Sequence, residues 1–485
     1  MQDPPAATDE KVKKGFDDHI AITKQIIFEN SRDSKIKEVA AHLHSHIADS
    51  GYMKASLEYP GYFADWFRDS SMVLICMLNS INHLKKYFFK EYEIEIETMK
   101  KDSVKILNML WRAIEFFSLN IDRGIESNPR DTGFGEAKRH VLARFGEDKD
   151  GKVTYFSDPK TGAEIDKPEI THEKETSWLT QFDSVPLLLI GTKLYVETFN
   201  FESLGDLTQK IKKQLPRITD YMLNCFGAPC SNAWEVGGSD IHSYSVSALY
   251  GGVKAADQIS KKIGLDLQNL LIKKPLFVDY EKDFSNFILK TFTRKQNDIP
   301  ILCKSATLKT RDRLDSAVPV EGIDAAEYYI FTLFKPPLLN GEGLEQNTVN
   351  AIEKELFDGN VLPIRFRFFA KNHPRKDTYF FGGRWFLLGL EAASYYIETD
   401  RLDKAKIIID YIEKDKIRAD GAIAEQEMVD PESPDYDPSN YLGKNGGKPI
   451  SCLAWSEAAY LAAVSSYREH LYYDKTIEKA AYKNL

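Results

Sequence analysis

The chain has 485 residues, 43% apolar and 28% charged, the composition of a soluble globular protein long enough to bury a large core. Its formal net charge of −9 and pI near 5.7, with no Lys/Arg-rich block, exclude a nucleic-acid backbone as partner and suit a neutral, hydroxyl-rich one. The longest apolar runs, Met72–Leu78 and Val185–Ile190, fall far short of the roughly 20 residues that span a bilayer, so no membrane association is expected.

In chain order, Met1-Gln2-Asp3-Pro4-Pro5-Ala6-Ala7 reads as a lead-in. It fits a mature N-terminus after a removed secretory signal, or a cytosolic start; we lean to the first. Ser34–Ile47 is an amphipathic helix candidate, and Trp66–Leu84 is apolar nearly all round, as a buried helix would be. Further helical spacing covers Glu95–Leu119, Asp183–Glu197, Leu207–Leu223, Ser243–Ile263, Asn347–Leu356, Trp385–Glu398, Asp403–Glu413 and Leu453–His470. Asp122–Glu175, Thr293–Asp315 and Val429–Ile450 are rich in Gly, Pro, Asp or Lys and read as long loops of the functional kind. Strand signals are sparse, as at Val361–Phe369. The chain carries no short-period repeat. About a dozen helices, some buried all round and some amphipathic, predict an all-α fold of two concentric rings rather than a bundle.

Several features are read as ordinary structure. The five cysteines, Cys76, Cys225, Cys230, Cys303 and Cys452, cannot all pair, and free thiols in a large core are expected. Cys225 and Cys230 alone are close enough in sequence to bridge or to form half a metal site. His42 and His46 would share a helix face at i, i+4, with His44 between them, but no companion carboxylate motif follows, and no metal is expected there. The acidic residues Asp430, Glu432, Asp435 and Asp437 lack the spacing of an EF-hand and read as a solvated loop. Gly133-Phe134-Gly135-Glu136 lacks the Lys-Ser/Thr and βαβ context of a phosphate loop.

Five segments share one grammar, a polar or acidic residue beside an aromatic, most of them just before an apolar helix: Trp66-Phe67-Arg68-Asp69, Trp178 through Asp183, Trp234-Glu235, Asp377-Thr378-Tyr379 followed by Trp385, and Glu425-Gln426. Singly, Asp69 and Asp183 could be helix-start acids and Trp66 and Trp385 core residues. Together they predict polar groups gathered at one pocket.

These segments resemble, in order and spacing, glycoside hydrolase family 15, the glucoamylase family. The likeness runs through Tyr62 to Asp69, Trp178 to Leu187, Asn232 to Glu235, Asp377 to Phe386, Gly421 to Gln426 and Leu453 to Ser456. It implies an (α/α)₆ barrel and exo-hydrolysis from non-reducing ends. Glu235 matches the family's general acid and Glu425 its general base. Arg68 and Asp69 match the pair that holds the terminal glucose. Trp66, Trp178, Trp234 and Trp385 would line the sugar pocket, with Asp377 a sugar-binding acid. No cofactor is implied. The expected partner is starch, glycogen or a malto- or isomalto-oligosaccharide, acted on by a monomer. Residues 1–30 form the lead-in, 31–475 the single catalytic domain and 476–485 a tail.

The chemistry explains the two acids. An inverting glycosidase protonates the leaving oxygen with one carboxylic acid, while a carboxylate about 6.5–9.5 Å away activates water on the other sugar face. Burial beside Trp234 would keep Glu235 protonated, and hydrogen-bond donors would keep Glu425 ionised. Two positions depart from the family: Val236 stands where a second Glu is common, and His373 where an Arg is common. In the family both positions address the leaving sugar, so the resemblance leaves α-1,6-glucosides or trehalose in competition with α-1,4-glucans as substrate. A carbohydrate-binding or regulatory domain without catalysis is the alternative of another class, and the presence of both acids argues against it.

Overall fold

The computed structural model describes residues 32–58, 63–126, 144–155, 181–234, 240–309, 317–320, 322–337, 343–365, 384–427 and 450–483. It is predominantly helical, and its longer helices alternate between two layers. The inner layer comprises Phe67–Tyr87, Ser184–Phe199, Ser243–Lys262, Glu327–Tyr329 continuing through Ile330–Phe334, Phe386–Glu398 and Ala454–Lys483. Each packs on the next, and the last returns to the first, closing a ring. Outside them lie residues 32–45, Glu93–Phe116, Leu207–Asn224, Tyr280–Phe292, Leu344–Ile352 with Glu353–Phe357, and Leu402–Asp415. This is the expected helical barrel of two concentric rings.

Sequence pattern separates the layers. The inner helices Ser184–Phe199 and Phe386–Glu398 are apolar around most of their circumference, because both sides meet other helices. The outer helix Leu402–Asp415 buries only Ala405, Ile408, Ile409 and Ile412 and turns its charges to solvent. Arg32, at the start of the first outer helix, is buried against Glu413 and Asp410 of the last, both at 2.8 Å, which closes the outer layer.

Alternation also makes the inner helices parallel, so all their N-termini face one end of the barrel. The connections reaching that end are long: 46–66, 117–183, 225–242, 293–326, 358–385 and 416–453. Most of those at the other end are short, as at 88–92 and 399–401; the exception is 263–279, which carries the short helices Leu267–Leu270 and Lys274–Val278. The few strands lie in the long connections. Asp65–Trp66 pairs with Arg144–Glu147, which pairs with Val153–Thr154; Asp240–His242 pairs with Ser305–Leu308, which pairs with Ala317–Val320.

The stretch Thr293–Asp315, expected as a loop, begins with a hairpin of Thr293–Gln296 against Ile299–Leu302. Its two-residue turn is Asn297-Asp298, both at positive φ (52° and 64°), the conformation that hairpin turns of primed type require and that Asn and Asp tolerate. Conversely, Val361–Arg365 is not a strand, and the rest of that expected strand lies outside the described residues. The helix expected over Glu95–Leu119 ends at Phe116, and a separate one runs from Ser118 to Glu126. The last inner helix runs on to Lys483, so the segment set aside as a tail is helical to that point. All five cysteines are buried free thiols. Among the described residues, no helix is long and apolar enough to cross a membrane.

Two turns with the same local form hold the mouth. Ile47 bridges Met53 around Gly51, and Ile417 bridges Ile423 around Gly421; both glycines have φ of +92°. A Cβ on Gly51 would fall 2.0 Å from the carbonyl oxygen of Lys105, and one on Gly421 2.3 Å from that of Glu38. Backbone meets backbone at both places, so only hydrogen fits there.

Two expected outcomes follow from this scaffold. Gly421→Ala combines a disfavoured φ with a backbone clash and is expected to cost about 2–3 kcal/mol, read from urea midpoints at unchanged slope; an unchanged midpoint would show that the turn can relax. Asp65 is buried, and desolvation lifts its carboxyl to about 8 against the opposing donors of Ser70 and Met53. The fold thus favours the protonated acid. Its contribution is complete below the unfolded value near 4 and is lost as pH rises towards 8, with a slope of at most about 1.4 kcal/mol per pH unit. Asp65→Asn is expected to flatten stability over this window, and a parallel profile for both proteins would contradict the assignment.

Candidate active site

The inner helices begin with polar residues. Trp66 precedes the first, in extended backbone at φ −85° and ψ 115°, and its strand register sets it opposite Arg144, whose guanidinium lies 5.2 Å from the indole centroid. Arg68 and Asp69 occupy the first turn, both buried. A cation at a helix N-terminus opposes the macrodipole, so Arg68 needs anions beside it. Its Nη1 lies 3.7 Å from Oδ2 of Asp183 and its Nε 4.0 Å from Oδ2 of Asp69. Asp183 stands at the start of the next inner helix but makes no capping bond; its carboxylate turns to Arg68. Burial raises the Asp183 pKa, and the Arg68 charge pulls it back down. Tyr244, in the first turn of the third inner helix, also faces Asp183. Its ring meets Tyr329, 6.1 Å away, which in turn lies 6.1 Å from Trp455 at the start of the last inner helix.

A second group gathers around two tryptophans. The rings of Trp234 and Trp385 lie 5.6 Å apart at 47°. The guanidinium of Arg365 stands over both, 5.2 Å from Trp234 and 4.3 Å from Trp385. Trp234 Nε1 donates to Asp324 Oδ1 at 2.7 Å, which fixes the indole's orientation. Burial raises the Asp324 pKa against its bonds from Ala326 N–H and Trp234 and the charges of Lys304 and Arg365. Buried Glu327 lies near this carboxylate, and desolvation together with the Asp324 charge holds its pKa well above the ordinary range.

Glu425 belongs to the second group through its backbone. Trp385 and Gln426 form an antiparallel bridge, so the segments 384–386 and 425–427 run side by side. Phe386 N–H donates to the Glu425 carbonyl at 3.3 Å, Glu425 N–H to Ile450 at 2.9 Å and Glu427 N–H to Arg384 at 2.8 Å. The residue is 8% exposed, on a main chain held on both sides.

Of the residues singled out from sequence, Trp66, Arg68, Asp69, Trp234, Trp385 and Glu425 are described, and all are buried or nearly so at this end of the barrel. Trp178, Glu235 and Asp377 lie outside the described residues, as do Val236, His373, the acidic loop at 430–437 and Gly133–Glu136. Trp385 pairs with Gln426, the neighbour of Glu425, so the contact of the two indoles sets Trp234 beside the segment that bears Glu425. Four residues escaped the sequence reading: Asp324, Glu327, Arg365 and Tyr244. Asp324 and Glu327 carried the right signal, acids just before an apolar helix. Arg365 and Tyr244 carried none, since each acts on partners distant in sequence.

No family model and no curated protein matches the chain. Among solved structures it is similar to a glycosidase in its wild-type form, with a TM-score of 0.63 and 15% identity over 90% of this chain and 98% of that one. A glutamate-to-alanine form at 16% identity has the same TM-score and coverage. So does another glutamate-to-alanine form, in complex with glucose, at 15% identity. At such identity the likeness is one of fold. Over 90% of its length the chain thus has the helical-barrel fold of solved glycosidases.

Proposed function

We propose that the protein is a glycoside hydrolase: an inverting, exo-acting α-glucosidase that releases β-D-glucose from the non-reducing ends of α-1,4-linked glucans. The observation that carries the reading is the Trp234–Trp385 contact, which sets Trp234, the residue before Glu235 in sequence, beside the segment bearing Glu425. The fold likeness to glycosidases, one of them in complex with glucose, supports it.

In this reading Glu235 gives its proton to the glycosidic oxygen as the bond from C1 to that oxygen breaks. Glu425 accepts a proton from water as the water oxygen attacks C1 from the opposite face, so an α-linkage yields a β-product. Arg68 and Asp69 hold the terminal glucose, a fork of donors beside an acceptor for its hydroxyls, with Asp183 keeping the guanidinium in place. Trp66, Trp178, Trp234 and Trp385 offer apolar faces to the sugar, and Asp377 is a further sugar-binding acid. Arg365 over Trp234 and Trp385 fixes their tilt and adds positive charge near the reacting centre. Val236 and His373 favour a second reading within the same chemistry, an α-1,6-glucosidase or trehalase, because in the family that the sequence resembles the matching positions contact the leaving sugar.

Incubation with maltooligosaccharides, isomaltose, dextran and trehalose, followed by proton NMR, is expected to show β-glucose as the first product. With dextran or maltooligosaccharides of three or more units, initial α-glucose would refute inversion (trehalose sheds its leaving glucose as the α anomer under either mechanism, so there inversion reads as equal α and β), and no glucose from any substrate would refute the class. Glu425→Gln is expected to lower kcat by about 10²–10⁴-fold with KM little changed, the loss typical of one general acid–base group. Unchanged turnover would remove Glu425 from the mechanism.

A further inference from the structure

The first outer helix and the last inner helix meet behind the turn that leads to Glu425. There the structure corrects one sequence expectation. His42 and His46 do have a companion carboxylate, supplied by Glu457 from the far end of the chain. His42 Nδ1 lies 3.0 Å from Glu457 Oε1, and His46 Nε2 lies 3.5 Å from Glu457 Oε2. One ligand atom from each residue falls within 4.8 Å of the others. Ligand atoms around a tetrahedral ion with bonds of 2.0–2.2 Å stand roughly 3.4 Å apart, so side-chain torsions alone would close the set.

Hydrogen bonding shows what the cluster lacks. The Nδ1 of His46 lies 2.8 Å from the carbonyl oxygen of Lys54, which can only accept, so Nδ1 carries the ring proton. In the neutral ring Nε2 is then a lone pair. It faces Glu457 Oε2, another lone pair, and neither atom has a hydrogen-bond partner. The side chains of His46 and Glu457 are both fully buried, with 0% exposure. Two acceptors turned on each other in a fully buried site call for a positive charge between them.

We propose that His42, His46 and Glu457 bind one divalent transition-metal ion, Zn²⁺ by ligand type. Two imidazoles and a carboxylate suit zinc, whereas Ca²⁺ and Mg²⁺ demand oxygen ligands. The Lys54 carbonyl on the far nitrogen of His46 is the outer contact that orients a metal-binding imidazole and fixes its tautomer. The His42 side chain is 12% exposed, which gives an ion its way in. The role is structural. Glu457 Oε1 also accepts from Ile423 N–H at 3.4 Å, and the Ile423 carbonyl accepts from Leu453 N–H at 2.9 Å. One ion would join the outer helix 32–45, the inner helix Ala454–Lys483 and the turn two residues before Glu425.

The test uses untagged full-length protein, stripped with a chelator and titrated with Zn²⁺ against a chromophoric competitor, with elemental analysis for stoichiometry. One Zn²⁺ per chain at about micromolar Kd or tighter is expected, with a rise in Tm on binding. His42→Ala, the partly exposed ligand, is expected to weaken binding by about 100-fold or more and to abolish the Tm rise, with its circular dichroism unchanged. Glu457→Gln, which keeps shape and removes charge, is expected to do the same. No stoichiometric zinc in the wild-type protein, or equal affinity in the folded His42→Ala variant, would overturn the proposal and assign the gap to a proton on His46. Should Glu457→Gln fail to fold, the wild-type titration and His42→Ala decide the matter.

Discussion

Six helices closed into a ring leave polar side chains little room except at the helix ends. Along their length the inner helices meet protein on all sides, where an unpaired polar group costs more than the fold can spare. Gly252 shows how close the contact is: a Cβ there would fall 2.6 Å from the Pro186 Cα of the neighbouring inner helix. Polar residues therefore gather where these helices begin: Arg68 and Asp69, Asp183, Ser243, Asp324 and Glu327, Ser456 and Glu457. Since alternate helices are parallel, these starts share one face. The candidate site is a consequence of how the ring closes.

At that face the helix dipoles favour anions, and the pattern of acids follows. The exception, Arg68, sits at a helix start among carboxylates from two different helices. A buried pair of this kind adds little net stability, because desolvation offsets the attraction. What it provides is a guanidinium in a fixed direction, its charge already countered, at the mouth of the ring. Asp324 does the same for Trp234, and Arg365 for both tilted indoles. Burial raises the pKa values of Asp183 and Asp324, a condition common around catalytic centres.

Glu425 is positioned differently. It lies on a connection, held by main-chain bonds to Ile450 and Phe386 and by the turn at Gly421 that presses on the outer helix. The proposed metal ligands stand directly behind that turn. The segment bearing the candidate base is thus anchored from the front by an inner-helix start and from behind by an outer helix. Positions of this sort set how well a water can be aligned for attack.

Periodicity alone carried the layers of the fold. Runs that are apolar all round, such as Trp66–Leu84, became inner helices, and one-sided runs such as Asp403–Glu413 became outer ones, because the number of buried faces is written in the spacing. The grammar of an acid or aromatic before an apolar helix marked Arg68, Asp69, Trp234 and Trp385, since polar residues at the start of a buried helix have few places to go. The turn at Asn297-Asp298 was also there to be read, but its flanking residues looked polar enough for a loop. What spacing could not supply was any partnership across the ring. Asp183 with Arg68, Arg365 over two indoles, and Glu457 beside His42 and His46 join residues distant in sequence. Only closure of the barrel brings them together, because a local pattern records which face a residue takes and not which residue it will meet.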